Sequence, residues 1–280
     1  MKTYSSQPLL LCEVLRAGTK ALNGLGIESA RLDMLLLLEH TLGKNRSWIL
    51  ARQNEYNLTP AQLEQLEISL NRRLSNEPIA YILGRCEFYG LNLIVDKNTL
   101  IPRPETEDMV NLALKSAPQN GKLHDLGTGS GAVAIAIKYN RSDLRVSASD
   151  ISSAALKVAK ANINNYSSGD IELYTADLMD DINEKFDLIT ANLPYIPSSR
   201  SFKNSPVAHE PERALYSGND GLDHYKKLFT LINLQLNPGG LLIIEAEPDQ
   251  HQALIRLARQ NGLELDQQVR LTLSFRIASN

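Results

Sequence analysis

Apolar side chains in the first part of the chain recur every three to four residues, which is the spacing of an amphipathic helix. Two such series are Leu10, Val14, Ala17 and Ala21, and Leu32, Leu35, Leu36 and Leu42. A further helix is predicted to begin at Thr59, because Thr59, Pro60 and Gln62 have the order of N-cap, first helical residue and capping-box partner. This helix ends before Pro78, and the pattern over residues 1–77 predicts a small helical bundle.

The pattern changes after Pro78, where two short stretches have the composition of β-strands. Residues 88–95 and 99–101 are mostly apolar, and the Asp-Lys-Asn sequence at 96–98 between them resembles a turn. Two such runs around a short polar turn indicate a hairpin. We therefore expect residues 78–104 to form a linker that contains a β-hairpin.

From residue 105 to residue 280, short apolar runs alternate with amphipathic segments. Strands are predicted at 122–126, 144–149, 171–174, 186–190 and 241–245, and helices are predicted to begin near Gly131, Ser152 and Gly221. This alternation predicts an α/β, Rossmann-like domain with a mostly parallel sheet and helices on both faces. In such a sheet the ligand binds beyond the carboxyl ends of the strands, where the strand order reverses.

Composition and charge narrow the classes of function. The chain has 280 residues, of which 43% are hydrophobic and 22% are charged, which suits one large domain or two unequal ones. The net charge is −3 and Lys and Arg form no run, so the sequence gives no sign of a face that neutralises many phosphates. Direct binding to nucleic acid is therefore not expected.

Cysteine usage and the N-terminal segment predict the environment of the protein. Cys12 and Cys86 lie far apart without a CxxC motif, which favours buried free thiols over a disulfide or a zinc site. Glu13 interrupts the early apolar run before it reaches the length of a signal peptide or a membrane span. We expect a soluble, cytoplasmic protein that acts as a monomer and needs no metal.

A glycine-rich loop follows the first strand of the α/β region and opens a helix. Its candidate ligand-binding residues are Asp125, Gly127, Thr128, Gly129, Ser130 and Gly131. Glycines let the main chain turn tightly and approach a ligand, and the helix start offers free N–H groups. Taken alone, the loop is compatible with a dinucleotide site, because Gly127, Gly129 and Ala132 satisfy the relaxed fingerprint, or with a structural turn that binds nothing.

Two acids favour S-adenosylmethionine over a dinucleotide. Asp150 ends the next strand, about 20 residues on, where an acid accepts hydrogen bonds from both ribose hydroxyls. Asp125 would repel a pyrophosphate but would attract the ammonium and sulfonium groups of S-adenosylmethionine. Asp177, followed by Leu178, is placed to accept the adenine amino group, although a solvated loop acid explains Asp177 equally well.

A second loop, Asn192-Leu193-Pro194-Tyr195, follows the fourth strand and is the candidate reacting loop. Asn192 Oδ1 and the Leu193 carbonyl are two acceptors that could hold both hydrogens of a planar NH₂ group, and Tyr195 offers a ring face. Asn192 also borders the predicted cofactor site. An isolated Asn-x-Pro-Tyr would be interpreted as a turn, but its place after a strand and downstream of the glycine loop favours function.

Together these motifs resemble those of the peptide chain release factor glutamine methyltransferases of the HemK/PrmC type. The segments that carry the resemblance are residues 78–84, 87–91 and 101–107, the glycine loop, Asp150, residues 192–195, Glu210-Pro211 with Ala214-Leu215, and 220–222. The most diagnostic of them is Arg-Pro-Glu-Thr-Glu at 103–107. The resemblance covers residues 78 to 245, and the helical region matches in kind only.

The resemblance implies transfer of a methyl group from S-adenosylmethionine to the side-chain amide nitrogen of glutamine, with S-adenosylhomocysteine as product. The glutamine would be that of the Gly-Gly-Gln motif of class 1 release factors, gripped in part by the helical bundle and hairpin. Asn192, Leu193, Pro194 and Tyr195 would bind and position it. Arg103 and Glu105 are assigned to the substrate or cofactor on the resemblance alone.

The sequence departs from the family pattern in three places. Leu193 replaces a proline, which removes a fixed φ and predicts a looser loop. A glycine is absent two residues after Glu245, and an Asp-Leu pair is absent before Arg276; both departures are expected to lie away from the chemistry.

Two alternatives stay open at this point. An adenine amino-methyltransferase would use the same Asn-x-Pro-Tyr loop, although it would need to flip a base and bind its backbone. A catalytically weak S-adenosylmethionine-binding module is the second alternative, although the retained Asn192, Tyr195, Asp125 and Asp150 argue against decay. His124, in an interior strand, is interpreted as a core residue rather than a base.

Overall fold

The computed structural model describes residues 9–166, 171–180, 182–203 and 205–278. The chain forms two compact units: the first comprises the chain up to Gly84 and a short segment that ends at His209, and the second comprises the rest. In these ranges we find no helix with both the length and the apolar character needed to cross a membrane. Cys12 and Cys86 are free thiols, as predicted, but both are half-buried rather than buried.

The described part of the first unit is helical. Its elements are β1 (Leu9–Leu10), α1 (Leu11–Asn23), α2 (Ala30–Leu42), α3 (Arg46–Arg52), β2 (Asn57–Leu58), α4 (Pro60–Leu74) and α5 (Ile79–Leu83). β1 and β2 pair as a short antiparallel bridge. The predicted start of α4 is confirmed, because the Thr59 hydroxyl accepts from Gln62 N and the Gln62 side chain accepts from Thr59 N.

The buried faces of α1 and α2 differ in part from the predicted ones. Ala17 is exposed on α1, and Leu32 is 44% exposed on α2 although it belongs to the predicted apolar series. Asp33 is buried instead, because it forms an ion pair of 2.7 Å with Arg73 of α4. The four leucines that follow Met34 place apolar side chains on more than one face of α2. Packing against the rest of the first unit therefore decides which face is buried.

The second unit begins with a hairpin at a different position from the one predicted. Its strands are β3 (Arg85–Phe88) and β4 (Leu91–Ile94). Tyr89 and Gly90 both have positive φ, as in the two-residue turns that match the twist of a hairpin. The predicted strand at 99–101 is wrong: a turn does form at Asp96, but the Ile101 N–H that follows donates to Glu210 Oε2 instead of a β-ladder.

The second unit is built on a seven-stranded sheet, counted over the described residues. The strands are β5 (Lys122–Leu126), β6 (Arg145–Asp150), β7 (Glu172–Thr175), β8 (Phe186–Ala191), β9 (Leu236–Glu245), β10 (Leu263–Val269) and β11 (Thr272–Ile277). Their order is β10-β11-β9-β8-β5-β6-β7. The five strands from β9 to β7 are parallel, which confirms the predicted sheet. β10 and β11 form an antiparallel edge that the sequence did not predict.

Helices cover both faces of this sheet, as predicted. They are α6 (Glu107–Ser116), α7 (Ala132–Asn140), α8 (Ser153–Asn165), α9 (Asp223–Leu231) and α10 (His251–Gln260). Consecutive strand residues point to opposite faces. Leu188 therefore packs in the cluster that contains α6, α7 and α8, whereas Ile189 packs in the cluster that contains α9 and α10.

His124 lies inside β5 and is a core residue, as interpreted. Its Nδ1 lies 2.7 Å from Ser147 Oγ and its Nε2 lies 2.9 Å from Ser149 Oγ. Burial lowers the pKa of His124 to about 4, so the imidazole is neutral at physiological pH. Both nitrogens are engaged by β6 hydroxyls, which leaves His124 no free atom for chemistry.

The strand order reverses at β5, which lies between β6 and β8. The loops that follow β5 and β8 therefore leave the sheet side by side. They meet closely: a Cβ at Gly127 would lie 3.1 Å from Leu193 Cδ2. The fold thus brings the glycine loop and the reacting loop to the point where ligands bind in open parallel sheets.

Candidate active site

A pocket of about 1090 Å³, including its open mouth, lies at the carboxyl ends of the central strands in the second unit. Most of the predicted site residues line it. They are Arg103, Asp125, Gly127, Thr128, Gly129, Ser130, Asp150, Asp177, Leu178, Asn192, Leu193 and Pro194. The pocket wall does not include Glu105, Gly131 or Tyr195.

The glycine loop adopts backbone conformations that favour glycine. Gly127, Gly129 and Gly131 have φ values of 64°, 57° and 82°. The Thr128 N–H donates to the Ser149 carbonyl at 2.9 Å, which ties the loop to β6. No atom lies within 4 Å of a Cβ placed on Gly129, so the main chain there borders open space in the pocket.

Asp150 is fixed by main-chain donors at the end of β6. Its Oδ2 accepts from Gly129 N at 2.9 Å, and its Oδ1 accepts from Ser152 N at 2.8 Å. Each carboxylate oxygen keeps a second acceptor position. Burial raises the pKa of Asp150, and the two N–H donors oppose that rise. The arrangement presents a rigid acceptor at the pocket wall.

Asp125 is buried at the end of β5, and both of its oxygens have partners. Oδ2 accepts from Thr128 Oγ1 at 2.6 Å, and Oδ1 accepts from Thr190 Oγ1 at 2.7 Å. Burial raises the pKa of Asp125 to about 6, with Asp150 nearby adding to the rise. Because both of its oxygens already accept hydrogen bonds, Asp125 is suited to act on a cationic ligand through its negative charge.

Asp177 lines the pocket with a side chain that is partly exposed to solvent. Its Oδ2 forms an ion pair of 2.6 Å with Lys227 Nζ, and its side chain is about half exposed. The next residue, Leu178, has a φ of 55° and a buried side chain. One oxygen of Asp177 is thus engaged by a lysine, and the other has no hydrogen-bond partner among the described residues.

The NH₂ group of Asn192 is held by two hydrogen bonds. Nδ2 donates to Thr106 Oγ1 at 3.1 Å and to Glu245 Oε1 at 3.3 Å. Over the described residues, Asn192 Oδ1 accepts no hydrogen bond. Asn192 lines the pocket, and its oxygen is left as an acceptor without a partner in these ranges.

Leu193 is anchored on two sides. Its N–H donates to the buried Tyr225 hydroxyl at 3.3 Å, and its side chain is only 4% exposed. The Tyr225 hydroxyl also lies 2.5 Å from the Glu245 carbonyl and 3.3 Å from the Ala191 carbonyl, so it joins the ends of β8 and β9. In the described part of the chain, the Leu193 carbonyl has no partner. A second free acceptor therefore follows Asn192.

Tyr195 is held through both its hydroxyl and its carbonyl. Its hydroxyl donates to Glu245 Oε1 at 3.1 Å, and its carbonyl accepts from Gln250 Nε2 at 2.7 Å. Burial raises the pKa of the hydroxyl well above its usual range, so Tyr195 stays neutral. A Cβ at Gly221 would lie 2.2 Å from the Tyr195 carbonyl, so only glycine fits there.

Three residues of this site have no role in the sequence-based prediction. Thr106 lies within the Arg-Pro-Glu-Thr-Glu motif, and Tyr225 lies on α9. Glu245 ends β9, and the expectation that its segment lies away from the reacting loop is wrong, since it contacts Asn192 and Tyr195. An acid at the carboxyl end of the strand next to β8 is the signal that could have found it.

Arg103 reaches the pocket with support from a buried acid. Its Nη2 donates to Glu210 Oε1, and Glu210 Oε2 accepts from Ile101 N at 3.0 Å. The Arg103 side chain is 35% exposed, whereas that of Glu210 is almost fully buried. Glu210 therefore fixes the loop that presents Arg103, while Glu105 is exposed to solvent.

Comparison with known proteins agrees with this geometry. Residues 13–84 match the family described as PrmC N-terminal domain, and residues 108–209 match the Methyltransferase small domain. The release factor glutamine methyltransferase of Coxiella burnetii is 40% identical over 84% of this chain and 85% of its own length. The chain belongs to the release factor glutamine methyltransferase family.

A second member of this family, from Deinococcus radiodurans, is 34% identical over 94% of this chain and 95% of its own length. Among solved structures, a methyltransferase from Pyrococcus furiosus is similar with a TM-score of 0.53 and 17% identity. It covers 75% of this chain and 98% of that one, and it supports the fold alone. The family membership makes this chain a methyltransferase, and the Rossmann-like fold agrees with it.

Proposed function

We propose that this protein transfers a methyl group from S-adenosylmethionine to the side-chain amide nitrogen of the glutamine in the Gly-Gly-Gln motif of class 1 release factors. The observation that carries the proposal is the orientation of Asn192. Its NH₂ is engaged by Thr106 and Glu245, and its Oδ1 is left as an acceptor beside the Leu193 carbonyl. Two acceptors at the end of one strand suit the two hydrogens of a primary amide.

The residues around the glycine loop fit S-adenosylmethionine. The fixed Asp150 carboxylate offers acceptors for ribose hydroxyls, and the glycine main chain allows close approach. Asp125 supplies negative charge toward a cationic methionine moiety. Asp177 and Leu178, which line the pocket, suit the adenine. S-adenosylmethionine supplies an electrophilic methyl group on its sulfonium.

The reacting loop supplies positioning rather than acid or base chemistry. An amide nitrogen is a weak nucleophile because its lone pair is delocalised into the carbonyl. Asn192 Oδ1 and the Leu193 carbonyl would each accept one N–H, which holds the nitrogen and favours localisation of its lone pair toward the methyl group. The N–C bond forms as the S–C bond breaks, and the displaced N–H proton leaves to solvent.

Mass spectrometry of an unmodified release factor, incubated with this protein and S-adenosylmethionine, tests the proposal directly. One added methyl group on the glutamine of Gly-Gly-Gln is expected. A release factor with that glutamine changed to glutamate serves as the control and should gain no methyl group. Methyl transfer to DNA or RNA instead would support an adenine amino-methyltransferase, and cofactor binding without transfer would support a binding module.

A further inference from the structure

We propose that Glu245 is a positioning residue of this active site, whose carboxylate fixes the Asn192 amide so that Oδ1 faces the methyl-accepting nitrogen. The inference rests on the proposed function and deepens it by naming the group that orients the acceptor. Glu245 is the last residue of β9, and β9 pairs in parallel with β8, whose end carries Asn192.

An asparagine amide presents an oxygen on one side and an NH₂ group on the other, and rotation by 180° exchanges them with little change of shape. Asn192 therefore needs a neighbour that distinguishes the two orientations. The Thr106 hydroxyl cannot do so alone, since a hydroxyl either donates or accepts. Burial raises the pKa of Glu245, and hydrogen bonds from Thr106, Tyr195 and Asn192 oppose that rise by favouring the ionised form. The ionised carboxylate only accepts, so in that form Glu245 Oε1 favours the NH₂ group and repels Oδ1.

The surroundings of Glu245 support a role in function rather than in stability. Glu245 is 1% exposed, and its Oε1 accepts from Asn192 Nδ2 and from the Tyr195 hydroxyl. Its Oε2 is buried and, within the described ranges, has no hydrogen-bond partner. A buried, incompletely satisfied acid destabilises a fold compared with an apolar side chain. Such costs are tolerated mainly where a site requires them.

The same contacts make Asn192 a better acceptor. Both of its N–H groups donate, one to a carboxylate and one to Thr106 Oγ1. Donation from the nitrogen side of an amide increases the negative charge on its oxygen, because hydrogen bonds in a chain polarise one another. Glu245 thus orients Oδ1 and strengthens the hydrogen bond that Oδ1 would form with the glutamine amide.

The test compares Glu245→Ala and Glu245→Gln with a matched control, Glu247→Ala. Glutamine has nearly the same shape and keeps one acceptor oxygen, but it also carries an NH₂ group that can turn toward Asn192, whereas alanine removes both oxygens. Glu247 lies two residues further on, is partly exposed and pairs with Arg200, outside the network around Asn192. Each variant is assayed for kcat and KM with an unmodified release factor, for S-adenosylmethionine affinity by calorimetry, and for its melting temperature.

We expect Glu245→Ala to lower kcat about 100-fold, the size of effect caused by misplacement of a reacting group by about 1 Å. KM for the release factor and affinity for S-adenosylmethionine should change less than about threefold, because Glu245 does not line the cofactor pocket. Glu245→Gln should recover kcat only in part, to a value between those of Glu245→Ala and wild type, because its amide can donate as well as accept. Glu247→Ala should match wild type within about twofold. A kcat for Glu245→Ala within about threefold of wild type, or no recovery in Glu245→Gln, overturns the inference.

A second readout keeps this test separate from the proposed function. The side-chain ¹⁵N–¹H₂ signals of Asn192, assigned by comparison with Asn192→Ala, report on its hydrogen bonds without any substrate. We expect these signals to shift strongly in Glu245→Ala and by a smaller amount in Glu245→Gln. An unchanged pair of signals in Glu245→Ala overturns the inference. Absence of methyl transfer by the wild-type protein counts against the proposed function, and the signals then decide the inference alone.

Discussion

The two loops that border the pocket are held in different ways. In the glycine loop after β5, the backbone angles of the glycines give the loop its shape, Thr128 bonds to Asp125 three residues away, and main-chain N–H groups bond to the end of β6. The reacting loop after β8 is held instead by side-chain contacts to several distant elements. Asn192 bonds to Thr106 and Glu245, 86 and 53 residues away, and Leu193 bonds to Tyr225, 32 residues away.

The two loops are therefore suited to two different tasks, cofactor binding and positioning of the reacting group. A cofactor loop needs a particular main-chain shape, which short-range glycine chemistry can supply. A reacting loop needs particular side-chain and carbonyl directions, which only packed neighbours can fix. We therefore expect changes in the glycine loop to act on cofactor affinity and changes around the reacting loop to act on turnover.

The largest effect is expected from Asn192→Ala, which removes the oriented acceptor. Methyl transfer to the release factor should fall by about 1,000-fold or more, since both alignment and charge stabilisation are lost. Calorimetry with S-adenosylmethionine should give a Kd within about threefold of wild type, because the Asp150 region is untouched. Near-normal turnover in Asn192→Ala would contradict the conclusion that the reacting loop controls turnover.

The second effect is expected from Asp150→Ala on the cofactor side. This change removes the proposed ribose acceptor and also releases Gly129 N from its partner. Hydrogen bonds to a charged group contribute about 1.5–3 kcal/mol, so the Kd for S-adenosylmethionine should rise roughly 10- to 150-fold. At saturating cofactor, kcat should stay within about threefold of wild type. A fall in kcat with unchanged Kd would contradict the assignment of Asp150.

A smaller effect is expected from the pH dependence of cofactor binding. The pKa of Asp125 is raised to about 6 by burial, so the ionised form is lost as pH falls through about 6. Loss of the Asp125 charge should then weaken the affinity for cationic S-adenosylmethionine by about 10-fold between pH 7.5 and pH 5. Any contribution from Asp150 is separate from this change. Calorimetry across this range should show a flatter profile for Asp125→Asn. An equally steep profile in that variant would remove Asp125 from the effect.

The same shift predicts a trend in stability. A carboxyl group whose pKa is higher in the folded chain favours folding in its neutral form. The contribution of Asp125 to the free energy of unfolding is therefore fully present below about pH 4 and is lost as pH rises through about 6. Denaturant unfolding of wild type and Asp125→Asn at pH 5 and pH 8 measures it. The free energy of unfolding of Asp125→Asn, relative to that of wild type, should be higher at pH 8 than at pH 5.

The smallest effect is expected from the contact between Leu193 and Tyr225. A proline at 193 cannot donate the N–H that Leu193 gives to Tyr225, so Leu193→Pro should lower kcat by about three- to tenfold. Tyr225→Phe should have an effect of similar size. The two losses should combine less than additively, because both variants break the same hydrogen bond. Fully additive losses would show that this contact does not position the Leu193 carbonyl.

This contact also bears on the expectation that Leu193 makes the reacting loop looser than a proline would. Leu193 is buried and its N–H is used by Tyr225, so two constraints act where the fixed φ of proline is absent. The expected looseness stays a prediction.

Much of the fold could be predicted from local pattern. The capping box of α4 and the parallel strands of the second unit are specified by neighbouring residues, and both are confirmed. The hairpin was misplaced because both the Asp96 turn and the Tyr89-Gly90 turn suit a hairpin, and the Ile101 N–H of the predicted second strand bonds to Glu210, distant in the chain, instead of to a strand. The exposure of Leu32 has the same cause, since Arg73 draws Asp33 inward.

The sequence by itself determined the class of fold, the glycine loop and the reacting tetrapeptide, because each depends on residues close together in the chain. Only the tertiary structure decided which atoms of that tetrapeptide are free. Thr106, Tyr225 and Glu245 are brought to Asn192 and Leu193 by the packing of α6, α9 and β9 around β8. Orientation of a symmetric-looking amide is a property of its neighbours, and those neighbours are adjacent only in the folded chain.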